Sequence, residues 1–503
     1  MKFYVIDSIA DIKEEVGLSI YLVKDSWNDW WEYYTLFQVY INDSDTYIGS
    51  VKIGSKKMVD KSPPLENDFE DLDESFFSLG QSENYYTNLN KLGDNNRIRI
   101  LNALNDIAFK VEVFEEVKGK RIVRDSLMRD ISYTSVTGRL RRLAHGDATL
   151  TKYNFVYNYN EGSELKLGFK VTPNSFPPTN MHVLIGRNGV GKSYLLNTML
   201  DSIVRNDMDK GYFTDLNKTL SGTSIFANVV SVSFSAFDDY QPILDSKTLT
   251  YTYLGLKQLQ KEKESKINMP PKSPKKLTAE FAQSIYKCNV GGKADLWSEL
   301  VKDLSYDPSF DRAELVNLLS RQSVQCSEEN LKKEAVSIFN RLSSGHKIVL
   351  LTLTRLVETV EEKTLVVLDE PETYLHPPLL SAFIQVISKL LRKRNGVAII
   401  ATHSPVILQE VPKSCVWKIR REGKYLSFSR PNIETFAENL GVLTREVFGL
   451  EVTQTGFHQM IRKVANEIDS YEEVLEYFNH ELGDEGKNLV MTLVSDDEGD
   501  FEE

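Results

Sequence analysis

The run from His182 to Ser193, HVLIGRNGVGKS, constrains what this chain can fold into more than any other segment. Apolar residues lead directly into Gly186, Arg187, Asn188, Gly189, Val190, Gly191, Lys192 and Ser193, and the helix-forming run YLLNTML follows. A strand must feed a tight glycine loop that opens a helix, the setting a phosphate-binding loop requires. Glycines let backbone N–H groups close around phosphate oxygens, and the helix N-terminus adds partial positive charge. Lys192 is expected to reach the β- and γ-phosphates of ATP, and the Ser193 hydroxyl to ligate Mg2+. A glycine-rich turn with no ligand is the competing reading, and the loop alone leaves the class of nucleotide binder open.

Three later segments bear on the class. TLVVLDEP, from Thr364 to Pro371, reads as a strand buried on both faces that ends in two acids. Chemistry at a parallel sheet sits at the carboxyl ends of its strands. Asp369 is therefore expected beside the phosphates as a Mg2+ ligand, and Glu370 as the base for the attacking water. RLSSGHK, from Arg341 to Lys347, precedes the helical run IVLLTLTRLV. A serine and a glycine at a helix start can form a second anion site, with a plain serine N-cap as the simpler alternative. GVAIIATHSP, from Gly396 to Pro405, is another buried strand, and it delivers His403.

In their order and spacing these segments resemble the ABC-type ATPases. Leu342, Ser343, Ser344, Gly345 and His346 are similar to the LSGGQ signature, with Ser344 replacing a glycine and His346 a glutamine. The resemblance implies an α/β fold with a mixed or parallel core sheet. It also implies a head-to-tail dimer in which Ser343 faces the γ-phosphate held by the other copy. His403 would be the switch histidine beside Glu370. The family's γ-phosphate-sensing glutamine is not at the obvious strand end; Ser235 stands there and Gln241 is the candidate substitute.

After the second acid the chain reads DEPETYLHP, which resembles the soluble branch holding OLD-family nucleases and RecF-like repair proteins. No run of about 18 apolar residues suggests a membrane span, and the start MKFYVIDS lacks a signal peptide's apolar core. A cytoplasmic protein without a membrane partner is expected. The stretch after His403 reads as largely helical, so no nuclease domain is expected in this chain. Within the branch, VSFSAFD, LSSGHK, DEPETYLHP and ATHSP follow the P-loop in order, with SLGQSENYYTNL from Ser78 and GVLTREVFG from Gly441 flanking them. This set resembles the PtuA-type ATPases of Septu anti-phage defence systems, including retron-associated forms. That resemblance implies a homodimer or an assembly of dimers and an HNH nuclease partner. In retron forms it adds a reverse transcriptase with its RNA–DNA hybrid. Two other readings stay open: a RecF-like repair ATPase that clamps DNA directly, and a nucleotide-gated scaffold with little turnover.

The organisation expected is an N-terminal strand-rich aromatic region over 1–145 and ATPase lobes over 146–245 and 336–430. A helical insert over 246–335 lies between the lobes, C-terminal helices span 431–490, and an acidic tail covers 491–503. Lys261 to Lys276 should be a flexible linker, and Asp496 to Glu503 hold six acids against a net charge of −12. Cys288, Cys326 and Cys415 lack metal-ligand spacing and read as buried apolar residues. Basic residues from Lys118 to Arg142 could track nucleic acid, although a solvated face is the commoner meaning of such a run. The aromatic cluster Trp27, Trp30, Trp31, Tyr33 and Tyr34 is expected in a core or interface.

Overall fold

Buried strands from distant parts of the chain assemble one central sheet. The computed structural model describes the chain apart from residues 14–16, 26–32, 43–45, 59–60, 130, 132, 148–149, 151, 161–164, 218–224, 235–248, 259–270, 291–292, 313–314, 320–327, 424, 450–455, 469 and 498–503. In chain order the strands are β1 (Lys2–Ile6), β2 (Ser19–Lys24), β3 (Leu36–Ile41), β4 (Tyr47–Ser55), β5 (Asp68–Phe69), β6 (Phe76–Gly80), β7 (Tyr153–Tyr159) and β8 (Leu165–Val171). They continue as β9 (Met181–Ile185), β10 (Gly211–Asp215), β11 (Asn228–Ser233), β12 (Thr250–Gly255), β13 (Thr364–Asp369), β14 (Val397–Thr402), β15 (Val416–Glu422) and β16 (Tyr425–Ser429).

The central sheet runs β12-β11-β13-β14-β9-β15-β16, parallel throughout except for the terminal β15–β16 pair. Alternation of side chains explains why these strands are apolar without a break. Val183, Val230, Val366, Leu368, Ala398 and Ile400 face one core, which holds the helices Pro274–Val290, Ser344–Thr359 and Pro377–Arg394. Leu184, Val229, Leu365, Val367, Val397 and Ile399 face a second core with Leu195, Met199, Phe155 and Phe169. The α/β class with a mostly parallel core sheet is the one expected. β7 and β8 form a hairpin, and β10 joins β7 to make a third strand. β15 lies inside the sheet against β9, and β12 and β16 are the two edges.

The N-terminal region has its own core around a six-stranded sheet, β5-β1-β2-β3-β4-β6. Tyr33 packs against that core and Tyr34 is exposed, while Trp27, Trp30 and Trp31 lie outside the described residues. The basic stretch that follows is helical, and several of its cations are paired with acids. Lys118 pairs with Glu115, and Arg121 and Arg124 with Asp125. Arg139 and Arg394 share Glu83, and Arg142 meets Glu362 at the foot of β13. Ser135 Oγ also donates to Glu361 Oε2 at 2.6 Å, so Ser135, Arg142 and the Glu83–Arg394 pair hold the N-terminal region to the ATPase lobe.

Three sequence expectations need correction. The segment expected as a helical insert from 246 includes β12, which pairs with β11 as an edge of the central sheet. The helix after the linker begins at Pro274, inside the expected linker, because a missing N–H costs nothing in a first helical turn. Residues 259–270 of that linker are outside the described set. The tail expected from 491 onward is instead helical from Asp484 to Asp497. Val490, Leu489, Leu493 and Val494 give this helix an apolar stripe against Ile461, Val464 and Val474, and Asp484 and Glu485 suit its N-terminus. Cys288 and Cys415 are buried and unbridged, and Cys326 is outside the described residues.

Candidate functional site

The loop from Gly186 to Gly191 joins β9 to the helix Lys192–Leu200. Gly189 and Gly191 have φ of +81° and +100°, a region in which side chains strain the backbone. Gly186 is needed for another reason: a Cβ there would sit 2.5 Å from the Ile419 carbonyl oxygen on β15. Arg187 and Asn188 are exposed, and Val190 turns inward onto the second core. Lys192 is buried and donates to the carbonyl oxygens of Gly186 and Arg187, both at 3.0 Å. Its ammonium also lies 3.9 Å from Glu370 Oε1. Burial pulls its pKa down, and the carboxylates of Glu370, Glu372 and Asp369 pull in the opposite direction.

Two strand ends bring the acids and the histidine to this loop. Ser193 Oγ donates to Asp369 Oδ1 at 3.0 Å, joining the helix start to the end of β13. Glu370 follows with φ of +46°, a strained conformation for a residue with a side chain, and its N–H bonds the Ala401 carbonyl at 2.9 Å. His403, just after β14, places Nδ1 3.7 Å from Glu370 Oε1 and 3.1 Å from Glu372 Oε1. Contact with His403 lowers the Glu370 pKa against the opposing effect of burial, so this carboxyl stays ionised. Glu370, and then Glu372, raise the His403 pKa in turn, although burial opposes them.

Glu372 is the residue that sequence reasoning passed over. It is largely buried, and its Oε1 accepts from Thr402 Oγ1 at 2.6 Å and from the His403 amide at 2.9 Å. It thereby ties the turn after β13 to the end of β14. The only signal in sequence was its place in DEPETYLHP, which does not say what it bonds. Replacing Glu372 with alanine leaves two inward-facing donors without their charged acceptor, at a cost of about 2 kcal/mol in stability. Turnover should fall by about tenfold with ATP affinity little changed, since His403 loses its anchor. Thermal denaturation and steady-state kinetics check both; unchanged turnover would show that the clamp is only structural.

The segment from Leu342 to His346 lies at the start of the helix Ser344–Thr359 and has different partners. Leu342 is buried, and Ser343 and Ser344 are exposed. Gly345 packs so closely that a Cβ would stand 2.7 Å from the Tyr374 carbonyl oxygen in the turn after β13. Ser343 Oγ bonds His346 Nδ1 at 2.6 Å, and the Ser343 carbonyl accepts from the Lys347 amide. The structure thus gathers Lys192, Ser193, Asp369, Glu370 and His403 and sets the Ser343 hydroxyl on a separate network. Ser235 and Gln241 are outside the described residues.

The chain was compared with known proteins. Residues 233–409 match the family described as AAA domain, putative AbiEii toxin, Type IV TA system. Protein ea59 of Escherichia phage lambda is 38% identical over 529 aligned residues, covering 99% of each chain. The chain belongs to the ea59 family. This ea59-family member is an α/β P-loop ATPase with a segment of the AAA-domain type. The matched segment holds Ser343, Asp369, Glu370 and His403, with the P-loop upstream of it. Solved structures with looser likeness include cbiO1 from Clostridium perfringens, part of the ABC transporter complex cbiONQ. It is 16% identical, covers 65% of this chain and 100% of its own, and has a TM-score of 0.31. UvrA2 from Deinococcus radiodurans is 14% identical over 61% of this chain and 42% of its own, with a TM-score of 0.29. Likenesses at that level carry no functional argument. Among the described residues, no helix is long and apolar enough to cross a membrane.

Proposed function

We propose that this ATPase is the nucleotide-driven switch of an anti-phage defence complex. Two copies close head to tail around ATP, hydrolysis reopens them, and the cycle controls a partner nuclease of the HNH type. The observation that carries the reading is the meeting of Lys192, the Ser193–Asp369 pair and the Glu370–His403 pair at the carboxyl ends of β9, β13 and β14.

Each group has a task that its surroundings suit. Lys192 exchanges two carbonyl partners for the β- and γ-phosphate oxygens. The loop amides from Gly189 to Ser193 receive phosphate oxygens at the helix start. The hard oxygens of Ser193 and Asp369 suit Mg2+, which when bound neutralises charge on the β- and γ-phosphates. Glu370, held ionised, orients the attacking water and accepts its proton. His403 keeps Glu370 in place and, when protonated, offers an N–H to the γ-phosphate.

The exposure of Ser343 at a helix start supports a contact made across the dimer. A relative carried by a phage, and a matched family whose description includes a toxin–antitoxin system, support a place in conflict between phages and their hosts. The test is purification of the tagged chain from its native operon, with mass spectrometry and extraction of bound nucleic acid. Recovery of an HNH-type protein is expected, and a reverse transcriptase with its RNA–DNA hybrid would identify a retron form. Recovery of the chain alone, with ATPase activity stimulated by added DNA, would replace this reading with a direct DNA clamp.

A further inference from the structure

The signature serine is the N-cap of its helix, yet its side chain caps no backbone amide. N-cap serines ordinarily accept from the second or third amide of the helix. Ser343 Oγ instead bonds His346 Nδ1 at 2.6 Å, three residues on, and His346 Nε2 contacts Asp307 Oδ2 at 3.1 Å. Phe310 packs edge-on to the imidazole with centroids 4.9 Å apart, which fixes the ring plane. Asp307 is buried, and it also caps the short helix Pro308–Asp311 through the Ser309 amide at 2.8 Å.

We propose that Asp307 and His346 are positioning residues that decide, through the proton on His346 Nδ1, whether the Ser343 hydroxyl can donate to the terminal phosphate of ATP held by a second copy. The inference rests on the head-to-tail dimer proposed above. An ionised carboxylate only accepts, so Asp307 requires an N–H at Nε2 and thereby sets the tautomer. Nδ1 then carries either a lone pair or a second proton. With a lone pair it draws the Ser343 proton toward itself, and Oγ turns lone pairs outward, which a phosphate oxygen repels. With a proton, Nδ1–H donates to Oγ and the hydroxyl proton turns outward to meet phosphate. Closure around ATP therefore takes up a proton at each of the two composite sites.

The surroundings permit this cycle. Burial raises the Asp307 carboxyl, but the Ser309 amide and the His346 ring outweigh it and hold the group below its usual range, as an anion. The ionisable contact of the ring is Asp307; the neighbouring Tyr306 donates its hydroxyl to the Pro378 carbonyl, and Lys347 follows His346 in the helix. The Lys347 ammonium lies 6.0 Å from the Phe339 ring.

The test measures association of the full-length chain driven by Mg2+ and a non-hydrolysable ATP analogue, by sedimentation velocity between pH 6 and 8.5. The native chain, Asp307→Asn and His346→Gln are compared. His403 is common to all three, so its titration cancels in the differences. In the native chain the association constant should fall by up to about tenfold per site for each pH unit above the imidazole pKa. His346→Gln should lose that component, and Asp307→Asn, which no longer demands an N–H at Nε2, should change it. Superimposable profiles in all three chains, with association intact, overturn this proposal alone. If His346→Gln misfolds, the comparison with Asp307→Asn decides. Absence of nucleotide-driven association in the native chain at every pH overturns the proposal together with the dimer it rests on.

Discussion

Replacing Glu370 with glutamine should lower ATP turnover by about two to four orders of magnitude, the range that a positioned general base contributes. Nucleotide binding should persist. Glutamine keeps the shape of the side chain and meets the same backbone demand at φ +46°, so the turn after β13 survives the change. It still lies beside His403 and Lys192 but accepts no proton from water. Chains that bind ATP and cannot hydrolyse it should accumulate as the closed dimer. Phosphate release and light scattering in the presence of ATP and Mg2+ read the two effects separately. Unchanged turnover and unchanged assembly would remove Glu370 from its proposed role.

Lys192→Met should act one step earlier. The dissociation constant for ATP is expected to rise by about two orders of magnitude, the roughly 3 kcal/mol supplied by charge-assisted hydrogen bonds to phosphate. Stability without nucleotide should change little. The ammonium is buried and its pKa is pulled down by that burial, so a methionine of similar length removes a desolvation penalty along with two hydrogen bonds to carbonyls. Melting curves with and without ATP distinguish the outcomes. The native chain should show a nucleotide-dependent rise that Lys192→Met lacks, and an equal rise in both would exclude Lys192 as the main phosphate contact.

The chemistry legible in the sequence is chemistry that short runs carry by themselves. HVLIGRNGVGKS and TLVVLDEP combine an apolar strand with the polar residues at its end, so strand, loop and charge could be read together. The sheet class followed from the same runs, because strands buried on both faces are apolar at every position. What escaped depends on partners far apart in the chain. Asp307 is an ordinary N-cap before Pro308 in sequence, and only folding brings it to His346. The basic stretch before the P-loop is neutralised partly by Glu83 and Glu362, which no local pattern connects to it. Gly186 reads as a phosphate glycine, yet its neighbour is a carbonyl of β15, a strand more than two hundred positions later. The helix Asp484–Asp497 was hidden because acids at its end dominate the composition, while its apolar stripe is narrow.

The grip of the N-terminal region on the foot of β13 has a mechanical consequence. Glu361 and Glu362 lie just ahead of this strand, before Lys363, and are held by Ser135 and Arg142, whereas Asp369 and Glu370 lie at its opposite end. Asn395, in the turn before β14, is tied to the same foot through Glu362 and accepts from the Tyr153 hydroxyl. Six extended residues span about 20 Å and scarcely stretch. A pull or twist on the N-terminal region is therefore delivered lengthwise, as through a pushrod, to the carboxylates at the phosphate end.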